Sequence, residues 1–241
     1  MLKISYDLHI HSCLSPCGDD DMTPNNIVGM AALKELNVIS VTDHNSCKNC
    51  PAIMKVAKEY GIVVIPGMEL TTSEEVHVLC YFYTLEDALA FDEMIYSRML
   101  PIKNREDVFG KQQICNEHDE VIGNVENLLI NSTDISLDEL YDMVTEYKGV
   151  MVPAHLDKSS TSIISNLGFV APDSRFTCAE FKDMDNVEDI TLFNPYLRTC
   201  KIISSSDAHY LEHINEAINH IEVEELTIKS VLDALSHNRK Y

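Results

Sequence analysis

Positive charge is what this sequence has least of. Its 241 residues include 18 Lys and Arg against 39 Asp and Glu, a formal net charge of -21. Such a surplus repels nucleic-acid backbones and anionic membranes at long range, so neither a long nucleic-acid polymer nor a membrane is an expected partner. A small phosphorylated molecule is less affected, because a few local cations suffice to bind it. Long apolar runs are missing too. No stretch reaches the length of a bilayer span, and Met1-Leu2-Lys3-Ile4 enters a strand pattern without the layout of a signal peptide, so a cytoplasmic location is expected. Neither a glycine-rich nucleotide loop nor a G-x-S-x-G elbow is found, so the sequence gives no sign of a phosphate-cradling loop or a serine nucleophile. Without internal repeats, low-complexity tracts or Gly/Ser linkers, and with 45% hydrophobic residues for a core, residues 1–241 read as a single domain.

What is present alternates. Leu2 to Leu8 reads as a strand, and Thr23-Pro24 supplies an N-cap and a proline at N1 for a helix with Ile27, Met30, Ala31 and Leu33 inward. Val38 to Val41 is a strand and Pro51 to Tyr60 a helix ended by Gly61, followed by strands at Ile62 to Ile65 and Val76 to Tyr83. Thr84 caps a helix to about Met99. From Leu100 to Asp134 the period is lost, with Gly110 and Gly123 interrupting it, as in an inserted subdomain. Ser136-x-x-Glu139 has the spacing of a capping box and opens a helix that stops at Gly149. Val150 to Val152, Phe176 to Phe181 and Lys201 to Ser204 are strands, and Ile218 to Val223 leads to a last helix through Ile228, Val231, Leu232 and Leu235. This order predicts an α/β fold, a parallel sheet covered by helices with its functional groups at the strands' C-terminal ends.

Five apolar runs end in histidines and acids: Asp7-Leu8-His9-Ile10-His11, Thr42-Asp43-His44, Gly67-Met68-Glu69, Pro153-Ala154-His155 and Ser206-Asp207-Ala208-His209. Neutral imidazole and carboxylate are the ligands of divalent Zn, Mn and Fe. His9 and His11, two apart on a strand, share a face, as do Asp207 and His209. One His-x-His can be an ordinary pair of solvated or hydrogen-bonded residues. Five clusters at strand ends do not fit that description, because burying so many ionisable groups without cations costs about several kcal/mol each. The eight cysteines read as reduced thiols; Cys13, Cys17, Cys47 and Cys50 have the ligand count of a structural zinc site, but nothing else there suggests a zinc ribbon.

Together with His77, these motifs resemble, in order and spacing, those of the PHP (polymerase and histidinol phosphatase) superfamily, above all its stand-alone phosphoesterase branch. The resemblance implies a distorted (β/α)7 TIM-like barrel with a mostly helical insertion over the active site, here residues 85–148. It further implies two or three divalent ions (Zn, Mn or Fe). His9, His11, Glu69 and Asp207 would hold the first, and Glu69 would bridge to a second held by His77 and His155. His44, His209 and a residue of the first loop would hold the third. The family's Ser-Asp-Gly is replaced in that loop by Ser15-Pro16-Cys17-Gly18-Asp19-Asp20-Asp21; alignment on Thr23-Pro24 selects Asp19, alignment on Ser15 brings Cys17 to the slot, and Asp20 is the third candidate. The implied activity is hydrolysis of a small phosphomonoester, a nucleotide, a sugar phosphate or more narrowly histidinol phosphate, by metal-bound hydroxide, with Glu69, Asp207 and His209 as catalytic residues. The alternatives are a metal-dependent amidohydrolase and a non-catalytic metal-binding regulatory or scaffold domain. Lys158, close behind His155, and Arg105 and Lys103 in the insertion are the candidates to meet a phosphate. Asp43 either fixes an imidazole or makes a plain strand-end hydrogen bond. His118, His213, His220 and His237 match no motif and read as surface or satisfied residues.

Overall fold

The structure is a computed structural model that describes residues 1–236; His237 lies outside the described residues. In chain order the elements are β1 (Leu2–Ile10), α1 (Pro24–Leu33), β2 (Val38–Val41), α2 (Cys50–Tyr60), β3 (Val63–Thr71), β4 (His77–Phe82), α3 (Leu85–Arg98), α4 (Glu106–Phe109), β5 (Gln113–Cys115) and β6 (Val121–Asn124). There follow α5 (Leu137–Glu146), β7 (Gly149–Pro153), α6 (Ile163–Leu167), β8 (Cys178–Glu180), α7 (Val187–Phe193), β9 (Lys201–Ile203), β10 (His220–Val223) and α8 (Ile228–Ser236).

Six strands form one sheet in the order β10-β1-β2-β3-β4-β7, and β8 and β9 form a separate parallel pair. Backbone bonds join the segments around this pair to β7 and β1 of the larger sheet. The Leu156 N–H donates to the Glu180 carbonyl at 2.8 Å beyond β7, and the His11 N–H donates to the Ala208 carbonyl at 2.8 Å beyond β1. The result is a sheet curled into a half-barrel with helices outside it.

An all-parallel sheet was the expectation, and only the β1-β2-β3 centre meets it. β4 pairs antiparallel with both β3 and β7, and β10 pairs antiparallel with β1. For β4 the cause is connection length. Residues 72–76 alone join β3 to β4, enough for a hairpin but not for the dozen or so residues a crossover needs.

The apolar runs end up where their composition requires. β2 is buried along its whole length, as befits a central parallel strand covered on both faces. One core layer joins Ile10, Ile39 and Val64 of the sheet to Ile27, Val28, Ile53 and Val56 of α1 and α2. A second cluster joins Leu8, Val38, Ile65, Tyr81 and Val152 to Val231, Leu232 and Leu235 of α8. A third cluster lies under α3 and α5.

The caps also follow the sequence. Gly61 ends α2 with φ 69°, a left-handed conformation that glycine takes without strain, and Thr84 accepts the Asp87 N–H at the start of α3. Ser136 accepts the Glu139 N–H, but the reciprocal half of the capping box is absent because the Glu139 carboxylate pairs with Arg98.

Residues 85–148 depart from a mostly helical insertion. Between α3 and α5 lie a one-turn helix, α4, and the β5–β6 hairpin, with Gly110 (φ 103°) breaking the chain between them. No described helix is long and apolar enough to cross a membrane.

Candidate metal centre

Glu69 stands at the middle of the site. The preceding motif brings it there through close strand packing: a Cβ on Gly67 would lie 2.7 Å from the Cys80 carbonyl oxygen, so only glycine lets β3 approach β4 at this point. The Glu69 N–H donates to the Asp43 carbonyl and the Asn45 N–H donates to the Glu69 carbonyl, which locks the end of β2 beside β3.

Five imidazoles face the buried Glu69 carboxylate. Oε1 lies 3.3 Å from His9 Nε2, 2.9 Å from His77 Nδ1 and 3.1 Å from His155 Nε2; Oε2 lies 3.3 Å from His11 Nε2 and 3.2 Å from His44 Nδ1. Asp207 Oδ1 closes the other side, 3.5 Å from His9 Nε2 and 3.3 Å from His11 Nε2. The His209 ring stacks on that of His11 with centroids 4.2 Å apart. Asp207 (φ 54°) and His155 (φ 30°) both occupy positive φ, a conformation unusual for such residues and concentrated at functional sites.

Three overlapping sets of donor atoms are close enough to hold an ion: His9, His11 and Glu69; His11, His44 and His209; and His44, Glu69 and His77. Their hydrogen bonding favours an ion as well. His44 Nδ1 is buried, lies 3.2 Å from a carboxylate oxygen, and still makes no hydrogen bond, because the two atoms do not point at each other. Atoms aimed at a common third point have this geometry. His155 Nδ1 is likewise buried without a partner.

The electrostatics set ligand-ready protonation states. Burial works to raise the Glu69 carboxyl's pKa, but His77 and His9 outweigh it and hold the group well below its ordinary range. Asp207 is depressed against burial by His9 and His11. Burial, with His11 and His77 beside it, pushes His44 well down, and burial with His11 lowers His209 to about 4. Against its own burial, His9 is raised well above the ordinary value by Glu180, Glu69 and Asp207. Carboxylates and neutral imidazoles are the forms that bind metal; His11, like His9, is raised against its burial by Asp207 and Glu69, so a proton on either ring competes with an ion.

Of the residues picked from the sequence, His9, His11, His44, Glu69, His77, His155, Asp207 and His209 come together here. Asp19 Oδ1 accepts the Asp21 N–H at 2.9 Å, Asp20 pairs with Lys111, and Cys17 lies exposed; none belongs to the three donor sets, although the Asp19 N–H does reach the His209 carbonyl. Lys158 is in the site, with Nζ 2.6 Å from Asp207 Oδ2.

Arg105 is not brought in: it is 67% exposed and pairs with Asp107 two residues on, at the start of α4, while Lys103 pairs with Glu126. Asp43 does not reach the His44 ring but takes hydrogen bonds from Ser12 and Ser15. His118, His213 and His220 are exposed. All eight cysteines are free, and among the described residues no donor set includes one.

Sequence reasoning missed Glu180. Its Oε2 lies 3.0 Å from His9 Nδ1 and 3.1 Å from the His155 N–H, so it orients two candidate ligands at once. The available signal was an acid closing the apolar run Cys178-Ala179, without a histidine beside it.

Known proteins resemble this chain in stretches of sequence or in fold. An uncharacterised protein of Methanocaldococcus jannaschii is 36% identical over 76 residues, 28% of this chain and 44% of that one. A 5'-3' exoribonuclease of Haemophilus influenzae is 36% identical over 70 residues, 29% of this chain and 24% of that one. Each match therefore spans less than half of the relative's length. Endonuclease Q of Pyrococcus furiosus, a lesion-specific enzyme, has a TM-score of 0.68 at 22% identity over 98% of this chain and 56% of its own. Endonuclease Q has also been seen with a 27-mer duplex bearing an abasic lesion at the active site; that structure has a TM-score of 0.65 at 21% identity, covering 97% of this chain and 56% of its own. A protein of Bifidobacterium adolescentis described as a metal-dependent phosphoesterase has a TM-score of 0.60 at 16% identity over 95% of this chain and 94% of its own.

The endonuclease overturns the exclusion of nucleic acid drawn from net charge. Endonuclease Q shares this fold and has been seen with a DNA duplex, and charge summed over a whole surface does not describe the local patch a strand would meet, so net charge alone excludes no nucleic-acid substrate. The match to the PHP domain family runs over residues 7–167 and takes in every motif from Asp7 to His155. With the Asp207 and His209 end of the site folded onto those motifs, the chain belongs to the PHP domain family.

Proposed function

We propose that this chain is a metal-dependent phosphoesterase. The observation that carries the proposal is the Glu69 carboxylate, buried, ionised and faced by five imidazoles, with Asp207 across from it. In this reading the curled sheet corresponds to the family's distorted seven-stranded barrel. His9, His11, Glu69 and Asp207 hold one ion, Glu69, His77 and His155 a second, and His44 and His209 a third, with Asp19 the first-loop candidate to complete it.

Bound divalent cations supply Lewis acidity, polarising phosphoryl oxygens and making a water nucleophilic at neutral pH. The chain's own residues do the rest. Glu180 points His9 and the His155 backbone inward. Lys158, held at Asp207, places an ammonium where a phosphoryl oxygen can take it up. His209, neutral at working pH, stays available as a donor atom.

The first candidate substrate is a small phosphomonoester of nucleotide or sugar-phosphate type. A nucleic-acid strand is the second reading, favoured by the fold shared with endonuclease Q and by the segment shared with the exoribonuclease. The deciding experiment offers protein reconstituted with Mn, Zn or Fe a panel of nucleotides, sugar phosphates and histidinol phosphate, and in parallel 5'-phosphorylated and abasic oligonucleotides. Inorganic phosphate from the small esters alone supports the first reading, and shortened oligonucleotides the second. If neither product forms under any metal, the phosphoesterase proposal fails.

A further inference from the structure

We infer that Ser15 is a positioning residue that decides which nitrogen of His11 is presented to the metal. The inference rests on the reading of His11 as a ligand and follows from counting hydrogens around one buried hydroxyl.

The Ser15 hydroxyl has one hydrogen and two lone pairs. Three groups meet it: the His44 backbone N–H at 3.1 Å, Asp43 Oδ1 at 2.7 Å and His11 Nδ1 at 2.9 Å. The backbone N–H can only donate, so it takes one lone pair. Asp43 can only accept. Its Oδ1 already receives the backbone N–H groups of Ser12 and Ser15, at 2.7 and 3.2 Å. Its Oδ2 receives the Ser12 hydroxyl at 2.6 Å, because that hydroxyl's own lone pairs are taken by Asn49 Nδ2 and the Leu14 N–H. The Ser15 hydrogen therefore goes to Asp43.

One lone pair remains for His11, and Nδ1 must carry the hydrogen that fills it. In the neutral ring Nε2 is then left bare, and it faces Glu69 Oε2 and Asp207 Oδ1, both at 3.3 Å, and His9 Nε2 at 3.2 Å. The same logic serves His9, whose Nδ1 meets Glu180 and whose Nε2 turns to the same point. Both histidines of the His-x-His thus present Nε2, one set by a carboxylate and the other by a serine that a buried carboxylate orients. Asp43 acts on His11 through Ser15, across the first loop, rather than on its chain neighbour His44.

The test measures zinc affinity by competition with a chelator, together with the ring-nitrogen NMR shifts of His11 in metal-free protein at alkaline pH, where the imidazole is neutral. Wild type should carry its hydrogen on Nδ1. Ser15→Ala should give a mixture of tautomers and weaken zinc binding about 10- to 100-fold, and Ser15→Thr, which keeps the hydroxyl, should hold affinity near wild type. His11→Ala separates the ligand reading from the positioning role. If His11→Ala leaves zinc affinity unchanged, the reading of His11 as a ligand is wrong. If it weakens binding while Ser15→Ala binds zinc like wild type, or if wild-type His11 carries its hydrogen on Nε2, the positioning role of Ser15 is wrong. Thermal melts of the variants show whether any loss of affinity comes from loss of fold, and the wild-type tautomer still decides the case if the Ala variant is unfolded.

Discussion

Side chains that never touch an ion can control this site, and Glu180 is the clearest of them. Glu180→Gln should leave the fold intact but weaken metal binding about 10- to 100-fold, read by chelator competition, because the amide cannot hold His9 with a full negative charge. Wild-type affinity in that variant removes Glu180 from the centre. Lys158 makes a different prediction: alanine there should raise KM for a phosphorylated substrate by about tenfold and leave kcat nearly unchanged, as loss of uniform binding does. A fall in kcat with constant KM would place the ammonium at the reacting atoms instead. Most candidate ligands are legible in the sequence because an apolar run that ends in a histidine or an acid carries an ionisable group to the edge of the core, where it needs a partner. Glu180 is not, since one acid after a three-residue strand is unremarkable until the fold sets it against His9. Ser15 is equally hidden, because its role depends on Asp43, which is distant in sequence and brought near only by the first loop.

At the scale of elements, the insertion is tied to that loop. The Gln113 N–H donates to the Cys13 carbonyl at 2.9 Å, and Asn49 links the two sides, accepting the Cys115 N–H at 2.9 Å and donating to the Gln113 carbonyl at 3.1 Å and to the Ser12 hydroxyl at 2.9 Å. Gly110 rests on the same loop so closely that a Cβ would come within 2.2 Å of the Pro16 carbonyl oxygen. Asn49→Ala leaves a buried backbone N–H without its partner and should destabilise the protein by about 1–3 kcal/mol, seen as a lower midpoint in urea unfolding. An unchanged midpoint would mean that the insertion is held by other contacts. The long helices α3 and α5 are readable from their caps and apolar spacing. The β5–β6 hairpin is not, for its strands have three and four residues, and their pairing partners lie in each other and in the first loop. The antiparallel course of β4 escapes the sequence pattern for a related reason: the strand itself is legible, but its direction is set by the shortness of the link before it.

The whole molecule has a net charge of -21 and gathers several ionisable groups in one buried place, so its stability should depend on pH in a way that metal changes. Glu69 and Asp207 have folded pKa values below their ordinary ones, so their contribution is present above about pH 4.5 and is lost as acid drives the pH down through the folded values. His9 is raised, so its contribution is complete below about pH 6.5 and is lost as the pH rises through the folded value. His44 and His209 are lowered and act in the opposite sense, costing stability as the pH falls below about 6.5, so metal-free protein should be most stable at about pH 6.5 and lose stability on either side. A bound cation needs His9 unprotonated, so the rise in Tm on adding zinc should be larger at pH 8 than at pH 6. A rise independent of pH would show that His9 is not displaced from its proton by the ion.

The most direct measurement strips the protein with a chelator, restores Mn, Zn or Fe, and follows both bound metal and cleavage of phosphate esters, beside Asp207→Asn treated in the same way. A metal-dependent phosphoesterase predicts at least one ion per chain, cleavage only after metal is restored, and loss of cleavage in the variant. Full cleavage by stripped protein, or a filled site that cleaves no ester in the panel, would contradict it.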